Sequence, residues 1–333
     1  MQFRSLLRDS NEFTLSEKVL STDEDRHTLI QVVDQKNQTT LIRADTKLTN
    51  VFDKQDLMIH QLIHFPVVVA ELSCLSKSDE GKKFVYYKST AEKKLSSVVD
   101  RFLAGENVEG YNPTARLKII YGVASFFRLL EILNISTIKF SINDIFIDSN
   151  LEPKIIGLHN FFPVDFKDQI DILSVELSEQ DSSNSLAPAE LTNGENNHFS
   201  TAILSFFFGM IIYQMYNKET NRFVDNPREI NGAFKCFMAM KNGAVLVKGE
   251  KMPEQLYELY KMCFDFEPEN RPRFDEILKV LENENFLENV DRTSFNEYKA
   301  RLDSSNPILV YHSAFDQELD DEQFLDLPIL VFK

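Results

Sequence analysis

AILSFFFGMIIYQMY, the stretch from Ala202 to Tyr216, contains no charged side chain. It falls short of the roughly 18 to 20 apolar residues that a membrane-crossing helix needs. The pattern therefore predicts a helix buried on every side inside a protein lobe. Such an element must be surrounded, and the flanking sequence supplies the surround. Upstream, Asn112-Pro113 has the form of a helix start, with proline at the position where its missing N–H costs nothing. Leu117, Ile120, Tyr121, Ala124 and Phe127 then recur at helical spacing. Downstream, Pro253 opens EQLYELYKMCF, EPENRP interrupts it, and FDEILKVL resumes the helical period. Between these helices the pattern is short and extended, with IFID at Ile145 to Asp148 and KIIG at Lys154 to Gly157 joined by a turn at SNLEP.

The first ninety residues read differently. TLIQVVD (Thr28 to Asp34) and TTLIRA (Thr39 to Ala44) are β-branched runs on either side of a polar turn, QKNQ, and further strands are expected at PVVVAELS and KKFVYY. FDKQDLMIHQLI, from Phe52 to Ile63, is spaced for a helix packed on that sheet. With 333 residues the chain exceeds the roughly 250 to 300 at which one hydrophobic core stops growing. The expectation is an α+β protein of two lobes: a small β-rich one over 1–88 and a larger helical one over 89–286, followed by an extension over 287–333.

Composition narrows the partners. At 43% hydrophobic and 26% charged the chain is that of a folded globular protein. Acidic residues outnumber basic ones by 52 to 36, a formal charge of -16, so its field repels nucleic acid and anionic membrane surfaces and leaves proteins as the expected partners. Cys74, Cys236 and Cys263 are too few and too scattered for a disulfide framework or a thiolate zinc site. The opening MQFRSLLRDSNEF lacks the apolar core of a secretory signal. A cytoplasmic location is expected.

The segment from Arg116 to Gly157 resembles the helix, catalytic loop and magnesium-binding strand of protein kinases, nearest the tyrosine-kinase-like branch. FFFGMIIYQMY resembles that family's buried central helix, and KMCFDFEPENRPRFDEIL resembles its closing segment. The resemblance implies a bilobal kinase fold, a cleft for magnesium-bound ATP, and transfer of the terminal phosphoryl group to a hydroxyl, a reaction that rests on positioning and charge neutralisation.

Measured against that pattern, the chemical parts are altered. No glycine precedes Gly81, and Asp23, Glu24 and Asp25 fall where a glycine-rich loop would cover phosphate. The resemblance puts Arg43 at the phosphate-binding lysine and Asp56 at its glutamate partner, a pairing that changes shape as well as length. It puts Thr137, Ile138 and Lys139 over the His-Arg-Asp triplet, so a cation replaces the catalytic base, and it puts Ser141 over the loop lysine and Asp144 over the metal-binding asparagine. Gly157, Leu158 and His159 take the places of Asp-Phe-Gly, without the carboxylate. A literal Asp165-Phe166 follows Pro163, outside that register. No histidine or cysteine cluster has metal-ligand spacing.

Scaffold positions are kept. Ala187-Pro188-Ala189-Glu190 resembles the Ala-Pro-Glu closing the activation segment, and Arg271 is expected to pair with Glu190. Gly209 sits in the central helix where close packing is expected, and Leu204 replaces the aspartate that would anchor the catalytic loop. The tail carries six acidic residues from Asp316 to Asp326, which read as a solvated extension, and an apolar end, Ile329 to Phe332, which offers a docking strand or partner motif as the alternative. The expected function is that of a pseudokinase, a binding or scaffold module without a resident cofactor. The alternatives are a divergent protein kinase using ATP and magnesium through Asp144 or Asp165, and a nucleotide-binding regulator.

Overall fold

The computed structural model describes residues 6–22, 28–46, 57–60, 62–78, 82–164, 186–192, 199–219, 222–224 and 233–305. The chain divides into two compact units, one of residues 1–94, 144–161 and 299–333 and one of 95–143 and 162–298. The first thus extends past the expected limit at residue 88 and takes in the hairpin expected in the helical lobe.

That first unit is built on a six-stranded sheet. Its strands are β1 (Leu7–Asp9), β2 (Phe13–Thr22), β3 (Thr28–Asp34), β4 (Thr39–Thr46), β5 (Glu71–Lys77) and β6 (Lys83–Lys88), in the order β1-β5-β6-β4-β3-β2. All neighbours are antiparallel except β1, which lies parallel to β5. Only Ser10–Glu12 separates β1 from β2, a link that reaches about 14 Å. A flat sheet with strands about 4.8 Å apart would hold those edges about 24 Å apart, so the sheet is rolled.

The rolled sheet has a core on each face. Val32, Leu41, Cys74, Phe84 and Tyr86 share one face with Phe13, whose ring stacks on Tyr86 at 4.0 Å. Leu20, Leu29, Ile42, Ala44, Val85 and Tyr87 share the other with Leu57 of the helical residues 57–60. Arg8 closes the first face: its guanidinium grips Asp34 at 2.5 and 2.9 Å, bonds Glu12, and lies 4.6 Å from the Phe13 ring. Nothing in the periodicity of the sequence announced this buried pair.

A second sheet of this unit contains β7 (Lys93–Lys94), β9 (Ile145–Ile147) and β10 (Pro153–Ile155), in the order β10-β9-β7. The strand expected through PVVVAELS begins only at Glu71. Val68 and Val69 instead donate to the Phe65 carbonyl as a turn, while Val68 and Ala70 exchange backbone bonds with Ile155. The β-branched run is used to hold the hairpin, which is why the hairpin belongs with the first unit.

The second unit is helical. Its elements include α1 (Leu95–Leu103), α2 (Pro113–Ile132), α3 (Ala189–Thr192), α4 (Ala202–Gln214), α5 (Ala233–Lys241), α6 (Glu254–Cys263), α7 (Phe274–Glu282) and the part of α8 (Arg292–Ser304) up to Tyr298, together with β8 (Ile135–Thr137) and β11 (Phe161–Pro163), which pair. Asn112 caps α2 by accepting from the Ala115 N–H at 3.0 Å, with Pro113 in the first turn. From Ile203 to Tyr213 every residue of α4 is buried. Phe208 of α4 and Phe127 of α2 both meet Phe274 of α7 edge-on at 5.6 Å. A Cβ at Gly209 would lie 2.8 Å from the Cys263 Cβ, so α4 and α6 approach as closely as a glycine allows. The helix α8 is docked through Phe295 on Tyr121, ring to ring at 5.2 Å. No described helix is long and apolar enough to cross a membrane.

Candidate functional site

In the first unit, strand alternation decides which side chains of β4 face the helical residues 57–60. Ile42 and Ala44 pack with Leu57, Phe146 and Ile156 in one buried cluster. Arg43 points to the opposite face, where its guanidinium carbon lies 4.3 Å from the centre of the Phe84 ring. The expectation had Arg43 at a lysine that faces the helix. In the ladder Arg43 stands opposite Ile30 and Tyr86, and successive residues of a strand face opposite sides. Ile42 and Ala44 occupy the helix side, and neither carries charge. Asp56, the expected partner of Arg43, lies outside the described residues, as do Asp23 to Asp25 and Asp165.

The hairpin carries Asp144 at the end of the one-turn helix Ile142–Asp144, half-buried just ahead of β9. After β10, Gly157 has φ +81, a left-handed backbone that a side chain would strain. Leu158 is fully buried, and the turn closes with the Phe161 N–H on the Leu158 carbonyl at 3.0 Å. His159 follows half-exposed, its Nδ1 3.4 Å from where a Gly157 Cβ would stand. The charge in this hairpin lies elsewhere. Lys154 is buried, donates to the Val67 carbonyl at 2.5 Å and faces Asp148 Oδ2 at 3.4 Å. Asp148 in turn accepts the Glu152 N–H at 3.0 Å. Glu152, 3% exposed, pairs with Arg301.

In the second unit the expected catalytic loop follows β8. Thr137 is fully buried, and its hydroxyl donates to the Lys139 carbonyl at 3.0 Å, folding the loop onto itself. Lys139 itself is half-buried and Phe140 is buried against Phe127. Ser141 Oγ accepts the Asn143 N–H at 3.2 Å. Where the family uses a buried aspartate to hold this loop, Leu204 is an apolar residue with no exposed surface. Two residues that the sequence reading missed tie the segment to the ends of α4. Ser136 Oγ donates to the Ser200 carbonyl at 2.7 Å, and Gln214 Oε1 accepts the Ile142 N–H at 3.3 Å. Side-chain-to-backbone bonds of this kind leave no periodic mark in a sequence.

On the far side of the same unit, Arg271 and Glu190 form a bidentate pair at 2.8 and 3.0 Å, their side chains 0% and 4% exposed. Arg271 spends its other donors on the carbonyls of Asp265, Ala202 and Phe266. One arginine thus joins α3, the start of α4 and the turn before α7.

The region holding that pair and α4 has a counterpart among known proteins: a family model described as protein tyrosine and serine/threonine kinase matches residues 176–281. That stretch of the chain is similar to the protein-kinase superfamily. It is also 30% identical over 80 residues to a probable tyrosine-protein kinase of Dictyostelium discoideum. That match covers 23% of this chain and 23% of the relative, so the chain spans under a quarter of the length of the curated relative it matches. The kinase-like architecture, a curled β-sheet unit and a helical unit, agrees with both findings.

Among the described residues no group of three or more histidine, cysteine or carboxylate side chains is placed to hold a metal ion. Of the residues expected at kinase chemistry, Asp144 alone is a described carboxylate, and it stands half-buried at a turn.

Proposed function

We propose that this protein is a pseudokinase: a kinase fold that serves as a protein-binding module without moving phosphate. The observation that carries this reading is the state of β4. The sheet face turned toward the helical residues 57–60 presents Ile42 and Ala44, and these are closed over by Phe146 and Ile156 with every member of the cluster 8% exposed or less. A phosphate-binding cation would have to stand on that face, and an apolar core stands there instead. Lys139 at the base position supports the same reading, since an ammonium cannot take a proton from a substrate hydroxyl without first losing its own. So does Gly157, whose position offers no metal-binding oxygen beyond the backbone.

The test is a thermal titration of the full chain with ATP, with and without magnesium, beside a labelled-phosphate transfer assay. A ligand at about 100 times its Kd stabilises the folded state by about 2.7 kcal/mol, a shift of several degrees. The expected result is no magnesium-dependent shift and no incorporated label. A magnesium-dependent rise that Asp144→Ala abolishes would sink the proposal and favour a nucleotide-binding regulator; label incorporation lost in the same variant would favour an active kinase.

A further inference from the structure

The second unit holds a basic site that neither the kinase resemblance nor the proposed function uses. Arg116, in the first turn of α2, is half-buried among three aromatic rings, with its guanidinium carbon 4.9 Å from Phe102, 5.4 Å from Tyr111 and 5.6 Å from Tyr216. Its Nε donates to the Tyr216 hydroxyl at 3.1 Å and its Nη1 to the Tyr111 carbonyl at 2.8 Å. Those bonds fix the fork and leave the outer nitrogen, Nη2, without an acceptor among the described residues. Lys251 approaches the same Phe102 ring at 4.7 Å, exposed, and donates to the Phe102 carbonyl at 2.6 Å.

Two cations therefore share one ring, less than about 10 Å apart, and neither has a carboxylate partner among the described residues. Most of the described arginines are held otherwise. Arg8, Arg101, Arg128, Arg222, Arg271, Arg273 and Arg301 each pair with an acidic side chain, as do Lys248 and Lys261. With 52 acidic residues against 36 basic ones, carboxylates are in surplus, yet none is supplied here. The rings and carbonyls orient the two cations, and cation–π contact partly offsets their desolvation, but neither neutralises charge. A third unspent donor lies in the same box: the Tyr111 hydroxyl, on a residue 4% exposed, is buried without a hydrogen-bond partner.

We infer that the Arg116–Lys251 box is a binding site for a phosphate dianion, either free or carried as a monoester on a partner protein's side chain. Two positive charges match its two negative ones, and a guanidinium with an outward N–H edge suits phosphate oxygens, with the ammonium adding a point charge. A carboxylate, with a single charge, is the poorer match.

The experiment is calorimetric titration of the full chain with inorganic phosphate at constant ionic strength, with acetate as the monovalent control. A phosphoserine peptide and its unphosphorylated twin form a second arm. Saturable binding of phosphate, weaker for acetate, is expected. Lys251→Gln, a surface change, should weaken phosphate about tenfold or more, the usual worth of one charge-assisted hydrogen bond. Arg116→Lys keeps a cation in the box while removing the fork, and should weaken it similarly with an unchanged melting temperature. Binding of the phosphopeptide but not its twin identifies a protein-borne monoester as the source, and binding of phosphate alone identifies the free ion. No saturation by phosphate or phosphopeptide, equal affinity for acetate, or affinity unchanged in Lys251→Gln overturns the assignment.

Discussion

Removing the Arg271 side chain should unsettle the second unit more than any surface change. All five guanidinium donors are used: two on Glu190 and three on the carbonyls of Asp265, Ala202 and Phe266. Arg271→Ala leaves a carboxylate only 4% exposed without the guanidinium that grips both of its oxygens. Breaking such a pair from one side typically costs about 3 to 5 kcal/mol, against about 5 to 15 for a whole domain. With a urea dependence of about 2.5 kcal/mol per molar, a loss of about 4 kcal/mol lowers the unfolding midpoint by about 1.6 M. The assay is urea unfolding followed by far-UV circular dichroism. Glu190→Gln should cost less, because the neutral amide still accepts one bond and the three carbonyls still face the guanidinium. The double change Glu190→Leu with Arg271→Met should recover much of the loss, since apolar replacement of both ions removes the stranded charge. If Arg271→Ala unfolds at the parent's midpoint, or the double change costs the sum of the singles, the pair does not carry the stability assigned to it.

Three other outcomes follow from the same geometry. The Arg8 guanidinium bonded to Asp34 holds that carboxyl well below the usual carboxylate range, so its stabilising effect is complete at neutral pH and is lost only as pH falls through the lowered value. Asp34→Asn should therefore reduce the melting temperature at pH 7, and the gap to the parent should close at pH values below the ordinary carboxylate pKa of about 3.9; a gap independent of pH would show the bridge to be irrelevant. Gly209→Ala should destabilise even though alanine favours a helix by about 1 kcal/mol, because its Cβ meets the Cys263 Cβ at 2.8 Å and the Tyr260 carbonyl at 3.3 Å; a raised melting temperature would mean that α4 and α6 part freely. Asn112→Ala should cost about 1 kcal/mol through the lost cap on α2, read by the same urea titration, and no change would show the bond to Ala115 to be dispensable.

What was legible in the sequence was whatever leaves a period. The continuous apolar run of α4, the stripe on α2 and the β-branched runs of β3 and β4 could each be read directly, because burial and extended backbone select side chains locally. The Glu190 and Arg271 positions came from the family resemblance, and the structure puts them 2.8 Å apart. Face assignment was harder. TLIR aligns by letters with a strand that ends in lysine, but which side Arg43 takes depends on ladder register with β6, and no local pattern fixes that. The run PVVVAELS failed for a related reason: β-branched residues mark extended backbone, yet Val68 and Ala70 bond Ile155, some 85 residues further on. The tie of Arg8 to Asp34 and the box around Arg116 join residues whose spacings, 26 and up to 149, follow no rule of secondary structure.

Under the proposed pseudokinase reading, the distribution of buried charge accounts for a kinase-like fold kept without the chemistry. The described buried acidic and basic residues other than His60 are Asp34, Asp148, Glu152, Lys154, Glu190 and Arg271. Each has an opposite partner within its own unit: Arg8 for Asp34, Lys154 with Asp148, Arg301 for Glu152, and Glu190 with Arg271. Catalytic groups behave in the opposite way, since a base or metal ligand has to be held poised, with part of its charge unanswered until substrate arrives. On that reading, selection for stability alone fills such positions with apolar or small residues, and Ile42, Ala44, Gly157 and Leu204 are of that kind. Selection for chemistry cannot, because desolvating an unpaired ion is too costly to retain without a return. If the proposed reading holds, restoring a single group should restore nothing. Ala44→Lys is therefore expected to lower the melting temperature without producing magnesium-dependent ATP binding, because the new ammonium would enter a cluster whose members are all 8% exposed or less. ATP binding gained by that one substitution would show the site to be merely unoccupied, and the pseudokinase reading would then rest on one missing side chain and not on the rebuilt core.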